Sequence, residues 1–203
     1  MLCEAYKDLR AAGVVDGKMS EDRITEEWFV KVQIRWKGSS LCLIPVCQKP
    51  DTRNAAPRGR PPTIDFCLRD QYCAKTYFGA ECKLLDAGCR KHLREYLHRS
   101  RGIGRFLTCK YSAYTSAGAM VGYVRKGDAK VVARELADAI EKLSGNPQLE
   151  KTPSLSDFDD LYHTLHDRES GASPFTCFHL LFAFGCATHE LFVACHYQRR
   201  EGT

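Results

Sequence analysis

Two short apolar runs constrain this chain more than anything else in it. They are Thr63-Ile64-Asp65-Phe66-Cys67-Leu68 and Gly79-Ala80-Glu81-Cys82-Lys83-Leu84-Leu85. Each reads as a β-strand, and each carries charge among residues that belong in a core. Side chains two apart on a strand share a face, so Glu81 and Lys83 point together and Cys82 points the other way. Charge inside an apolar strand costs free energy unless it is paired or binds a metal. Asp65, Glu81 and Lys83 are therefore expected to converge on one site.

The chain has 203 residues, 44% of them apolar, which is enough for one sizeable domain. The reading is a single domain over 1–203, with an N-terminal appendage over 1–20, a core over 21–184 and a C-terminal tail over 185–203. The formal net charge of +5 permits nucleic acid as a partner. No apolar run is long enough to span a bilayer, so no membrane partner is expected. The charged Met1–Arg10 stretch has no export-signal core, which points to a cytoplasmic protein. Its 11 cysteines are odd in number and sit mostly in apolar strands, as expected of reduced core thiols.

Ser20 is placed to cap a helix beginning at Glu21, with Ile24, Trp28, Phe29 and Val32 at helical spacing. The segment Val30-Lys31-Val32-Gln33-Ile34-Arg35-Trp36 also alternates as a strand would, so the end of the helix stays open. A strand is predicted over 41–47 and a proline-rich loop over 49–62. After the two charged strands come a helix over 86–99 and strands over 105–111 and 119–124. Asp128 caps a further helix, with Val132, Leu136, Ile140 and Leu143 on its buried stripe and Gly145 ending it. Residues 146–160 read as a polar loop and 175–184 as a last strand. This order predicts a mixed sheet with helices on its faces.

The run Pro62-Thr63-Ile64-Asp65, followed by Glu81-Cys82-Lys83, resembles the PD-(D/E)XK, or restriction-endonuclease-like, nuclease superfamily. The likeness continues through Gly104-Arg105-Phe106, Met120-Val121-Gly122-Tyr123-Val124, His166-x-Arg168 and His179-Leu180-Leu181-Phe182, and covers roughly residues 21–184. Thr63-Ile64 separates Pro62 from Asp65, so the literal Pro-Asp pair is absent. The resemblance implies an α/β fold with a restriction-endonuclease-like mixed central sheet flanked by helices. It implies a metal-dependent endodeoxyribonuclease that uses Mg²⁺ or Mn²⁺. Asp65 and Glu81 would ligate the metal, and Lys83 would position or deprotonate the attacking water or steady the transition state. Glu21 would add a helix-borne carboxylate, with Glu26 and Glu27 competing for that role. The family also suggests bacterial or mobile-element (antiviral) defence or DNA processing, as a homodimer or in a larger defence complex. The chemistry is consistent with such roles. Hard divalent cations bind carboxylate and phosphate oxygens together, neutralise charge and lower the pKa of bound water.

The basic stretch supplies Arg90, Lys91, Arg94, Arg105 and Lys110 as candidate DNA contacts, with His166 and Arg168 further along. Phosphate contacts of this kind position a duplex without reading its sequence. Each has a plainer alternative. A charged helix face is often only solvated, and His166 and Arg168 can tether a loop. His179, inside an apolar strand, reads as a hydrogen-bonded core histidine. Asp and Glu-x-Lys also occur by chance on edge strands, where they face water. Two other functions remain open: a non-catalytic nucleic-acid-binding or scaffold module of the same fold, and a zinc-stabilised interaction protein. The zinc ligands would come from Cys177, Cys186, His189, Cys195 and His196, although no Cys-x-x-Cys pair occurs. There is no Gly-x-Ser-x-Gly elbow and no P-loop, and Gly102-Ile103-Gly104 is too short for a nucleotide-binding loop.

Overall fold

A computed structural model of the chain describes residues 1–50, 63–70, 72, 76–153, 158–169 and 173–185. Among them, helix α1 (Leu2–Ala11) and helix α2 (Glu21–Lys37) precede strands β1 (Leu43–Pro50), β2 (Thr63–Asp70) and β3 (Tyr77–Leu84). Helix α3 (Arg90–Tyr96) and the single turn α4 (Gly104–Leu107) lead to β4 (Ala117–Val124) and α5 (Ala129–Ile140). Strands β5 (Glu150–Lys151), β6 (Leu161–His166) and β7 (Phe175–Ala183) complete the order. The strands form one mixed sheet in the order β1-β2-β3-β4-β7-β6-β5. β1, β2 and β3 are an antiparallel meander, β3, β4 and β7 run parallel, and β6 and β5 return antiparallel.

Side-chain alternation divides the core between the two faces of the sheet. Met120 and Val124 of β4 and Leu181 of β7 pack with α3 and with the α5 stripe Val132, Leu136 and Ile140. Ala119, Val121 and Tyr123 of β4 and Phe182 of β7 pack with Trp28 of α2 and Tyr6 of α1 on the other face. The α5 prediction holds at its start, where the Asp128 carboxylate accepts from Lys130 N–H at 2.7 Å, but the helix ends at Ile140, short of Leu143 and Gly145. Ser20 caps α2 by accepting from Arg23 N–H at 3.3 Å. The competing strand pattern at 30–36 loses because Ile24, Trp28 and Val32 form the fully buried helical stripe, while Val30 and Ile34 stay exposed.

Four expectations for secondary structure change. Residues 1–20, set apart as an appendage, contribute α1, whose Ala5, Tyr6 and Leu9 are buried. Tyr6 stacks on Phe182 with ring centroids 4.3 Å apart and donates its hydroxyl to Ala183 O at 2.7 Å. The predicted strand over 105–111 is instead the turn α4, followed by left-handed residues Cys109 (φ 56°) and Ser112 (φ 51°) that cannot continue a strand. Close backbone approach explains the turn. A Cβ on Gly102 would lie 2.1 Å from Tyr96 O, and one on Gly104 would lie 2.3 Å from Arg99 Cα. The Gly-x-Gly element therefore lets α4 fold back onto α3. β6, which no sequence signal announced, occupies 161–166, and the polar loop over 146–160 contains the two-residue β5.

No described helix is long and apolar enough to cross a membrane. Among the described residues no disulfide forms. Cys186, His189, Cys195 and His196 lie outside the described residues, as does most of the loop over 49–62. Cys177, the remaining zinc candidate, is fully buried in the sheet core.

Candidate functional site at a strand fork

The site forms where β2 and β3 part company. Their ladder pairs Phe66–Arg69 with Tyr77–Ala80 and goes no further. β3 continues alone against β4, pairing Ala80–Leu84 with Ala119–Tyr123. Ile64 and Cys67, three apart, both join the α3/α5 side of the core, so the alternation of β2 breaks around Asp65. Gln48, across from Asp65 on β1, has a left-handed φ of 49°. A parting of strands leaves backbone N–H groups without ladder partners, and buried donors need acceptors. Carboxylates meet that need here. Asp65 Oδ2 accepts from Cys82 N–H at 2.8 Å, and Glu21 Oε2 accepts from Leu84 N–H at 3.1 Å.

Lys83 lies at the centre of the fork. Its Nζ is 2.8 Å from Glu21 Oε1, 3.0 Å from Glu81 Oε1 and 3.8 Å from Asp65 Oδ2. It also donates to Cys82 O at 2.6 Å. The expected convergence of Asp65, Glu81 and Lys83 is therefore present in the geometry, and Cys82 points into the opposite core as its register requires. Of the helix carboxylates, Glu21 reaches the site because it opens α2 at the fork. Glu26 and Glu27 instead pair with Arg23 along the helix.

Sequence position suggested that Arg105 and Tyr111 lie near the site, and the structure brings both to it, with Arg105 paired to Glu81. Its guanidinium donates to both Glu81 oxygens, at 3.0 and 3.2 Å. It also donates to the Tyr111 hydroxyl, which in turn donates to Thr63 O. Its Nε donates to Ser100 O at 2.9 Å, which helps to fix the side chain in place.

The electrostatics follow from burial. Glu81 is 1% exposed, and desolvation with the nearby Asp65 charge pushes its carboxyl up to about 7 despite Lys83 and Arg105. Burial also raises Asp65 and Glu21, against the pull of Lys83. Burial alone would lower Lys83, but Glu81, Asp65 and Glu21 outweigh it and hold the ammonium above its ordinary value. Lys83 is thus a cation at neutral pH, suited to hold an anion or orient water rather than to take a proton.

Glu81 sets a pH dependence. Its folded value lies above its ordinary 4.5, so its contribution to stability is full below about pH 4.5 and is lost as pH rises to about 7. We expect the thermal midpoint to fall over this window, and Glu81→Gln to flatten that fall. A Glu81→Gln profile with the parent slope between pH 4.5 and 7 would contradict the assignment.

The other candidates divide. Arg90, Lys91 and Arg94 are exposed on α3, whose Tyr96 and Leu93 pack on the same sheet face as Glu81. Lys110 is exposed beyond α4. His166 and Arg168 need correction as DNA contacts, because they are only 5% and 6% exposed. Arg168 donates to Ser112 O at 3.0 Å and lies over the Phe175 ring at 4.3 Å. His166 joins a buried chain. Its Nε2 meets Thr164 Oγ1 at 2.7 Å, Thr164 Oγ1 meets His179 Nε2 at 2.9 Å, and His179 Nδ1 meets the Tyr96 hydroxyl at 3.0 Å. Burial lowers His166 to about 4 and His179 to about 3, so both are neutral structural histidines.

The donor chemistry fits a hard divalent cation. Two strand carboxylates and one helix carboxylate already surround a positive charge, and Mg²⁺ commonly takes only one or two protein carboxylates beside water and phosphate. Among the described residues, no three His, Cys, Asp or Glu side chains are spaced to hold a metal by themselves. Asp65 and Glu81 could supply two protein carboxylates to such a cation. The chain matches no family model, no curated protein and no solved structure.

Proposed function

We propose that the fork is the active site of a Mg²⁺-dependent nuclease that hydrolyses DNA phosphodiester bonds, within a restriction-endonuclease-like version of the mixed α/β fold. One observation carries this reading: Asp65, Glu81, Lys83 and Glu21, from two strands and a helix, meet where the strands part. Carboxylates so gathered on a lysine are costly to bury as structure alone, since an apolar replacement is often as stable as a buried ion pair. A bound Mg²⁺ would neutralise phosphate charge and supply a nucleophile at neutral pH. Asp65 and Glu81 would hold it. Lys83, a fixed cation with several donors, would orient water and stabilise charge growing on the phosphoryl oxygens. Glu21 would keep Lys83 in place through their 2.8 Å bond. A role in antiviral or mobile-element defence, and action as a dimer, belong to the same proposal and rest on the family resemblance.

The test is cleavage of duplex DNA, single-stranded DNA and RNA with Mg²⁺ or Mn²⁺ against a chelator, with Lys83→Ala as control. Metal-dependent cleavage lost in Lys83→Ala supports the reading. Cleavage that Lys83→Ala retains would overturn it. A second reading, a nucleic-acid-binding module without catalysis, is favoured by the Arg105–Glu81 pair, which already neutralises one proposed metal ligand. It predicts binding with no metal-stimulated cleavage.

The exposed face of α3 makes a separate prediction. If Arg90, Lys91 and Arg94 each contact a duplex phosphate, replacing all three with alanine lowers the slope of log affinity against log salt by roughly 2 to 3. A slope equal to that of the parent would remove α3 from the interface.

A further inference from the structure

Arg105 is a partly exposed member of the site that holds a buried partner. It is half-buried, its side chain 23% exposed, while the Glu81 side chain it holds is 1% exposed. It sits on the short turn after the basic segment that includes exposed Arg99 and Arg101. Arg101 pairs with Glu95, and Arg99 pairs with Glu169. Arg105 follows this exposed basic segment directly in the chain, and its side chain is itself partly exposed, so a polyanion held by the segment has Arg105 close by in sequence. The Nη1 that donates to both Glu81 oxygens can donate instead to the unesterified oxygens of a phosphodiester, an anion that guanidinium groups bind well.

Charge bookkeeping gives this exchange a direction. With the carboxylates ionised, Glu21, Asp65 and Glu81 face Lys83 and Arg105, a formal −1 for the site. A divalent cation alone would turn the site to +1 while Glu81 still shares its oxygens with Arg105. A phosphodiester arriving with the cation restores neutrality. It also gives Arg105 a new partner and leaves Glu81 to the metal.

We infer that Arg105 is a latch on Glu81 that a substrate phosphodiester opens, so that divalent metal and DNA bind cooperatively and the site does not load metal fully before DNA arrives. Arg105 is thus a positioning residue that acts through Glu81. The inference rests on the nuclease reading above and adds the order and coupling of binding.

Isothermal titration calorimetry of Mn²⁺ into the full chain tests it, with and without a short phosphorothioate duplex that resists cleavage. In the parent protein the duplex is expected to tighten Mn²⁺ binding about 10-fold, a typical coupling between linked sites. Arg105→Gln is expected to bind Mn²⁺ about 10-fold more tightly than the parent without DNA, and to gain less than about 3-fold from the duplex. Two outcomes would overturn the latch: a parent Mn²⁺ affinity unmoved by DNA, or Arg105→Gln matching the parent in both conditions. The first needs no variant, so it decides the matter even if Arg105→Gln folds poorly. The result separates from that of the nuclease reading. Cleavage without coupling removes only the latch, and coupling without cleavage removes only the catalysis.

Discussion

Asp65→Asn is expected to lower Mg²⁺-dependent DNA cleavage by about 10³-fold, the scale on which a single electrostatic contributor to a transition state acts. The fold should survive the change. The structural duty of Asp65 is to accept Cys82 N–H at 2.8 Å, and an asparagine oxygen of the same shape can do this. What disappears is the negative charge facing Lys83 Nζ at 3.8 Å and the hard anionic donor a divalent cation would need. The thermal midpoint should stay within about 4 °C of the parent, corresponding to roughly 1 kcal/mol for a chain of this size. Kinetics and melting measured on the same preparation separate the two roles. An Asp65→Asn protein that melts like the parent and cleaves like the parent would remove Asp65 from the chemistry.

The second large effect concerns stability. Lys83→Met keeps the length and apolar stem of the side chain but removes the ammonium that Glu21, Asp65 and Glu81 share. Removing one partner of a buried ionic cluster strands the rest, at a cost of about 3 kcal/mol. Arg105 remains on Glu81 and still acts on Asp65, but Glu21 loses the one cation paired with it at the fork. The sign with pH is fixed by the same argument. Burial already raises all three carboxyls, and losing Lys83 raises them further, so the folded variant binds protons more readily than its unfolded chain. Its deficit should be largest near pH 8 and shrink towards pH 5. Adding Glu81→Gln should recover part of the loss at pH 8, because one stranded charge is gone. Denaturant melts of the single and double variants at both pH values measure this. A Lys83→Met deficit independent of pH, or a second substitution that only adds to the damage, would show that the cluster is not held together by charge.

The sequence made parts of this site readable for identifiable reasons. Asp65, Glu81 and Lys83 stood out because charge in an apolar run needs an explanation, and the two-residue period of a strand put Glu81 and Lys83 on one side. Glu21 was not separable from Glu26 and Glu27 by sequence, and stands apart only because it bonds Lys83 and Leu84 N–H while the other two pair with Arg23. Arg105 was not readable as a partner of Glu81. Its placement depends on Gly102 and Gly104 touching the backbone of Tyr96 and Arg99, a contact between segments that local pattern does not record. The same segment mimicked a strand because Arg105–Tyr111 mixes apolar and polar residues without a cap signal.

β6 escaped for a different reason. Its Leu-Tyr-His-Thr-Leu-His sequence is too polar to announce a buried strand. It is buried because Thr164 and His166 satisfy each other, and Thr164 extends the chain to His179 and so to Tyr96. Polar groups that exchange partners across the sheet look like surface until their partners are known. Helix α1 escaped similarly, since its burial rests on Tyr6 meeting Phe182, far along the chain.

The most direct test of the central claim is cleavage of closed circular duplex DNA by the purified chain as Mg²⁺ is titrated, followed by conversion to nicked and linear forms. The fork geometry predicts conversion that requires Mg²⁺ or Mn²⁺, stops on chelation and disappears in Asp65→Asn. Circles that stay closed at every Mg²⁺ and Mn²⁺ concentration, in protein shown to bind the DNA, would contradict it.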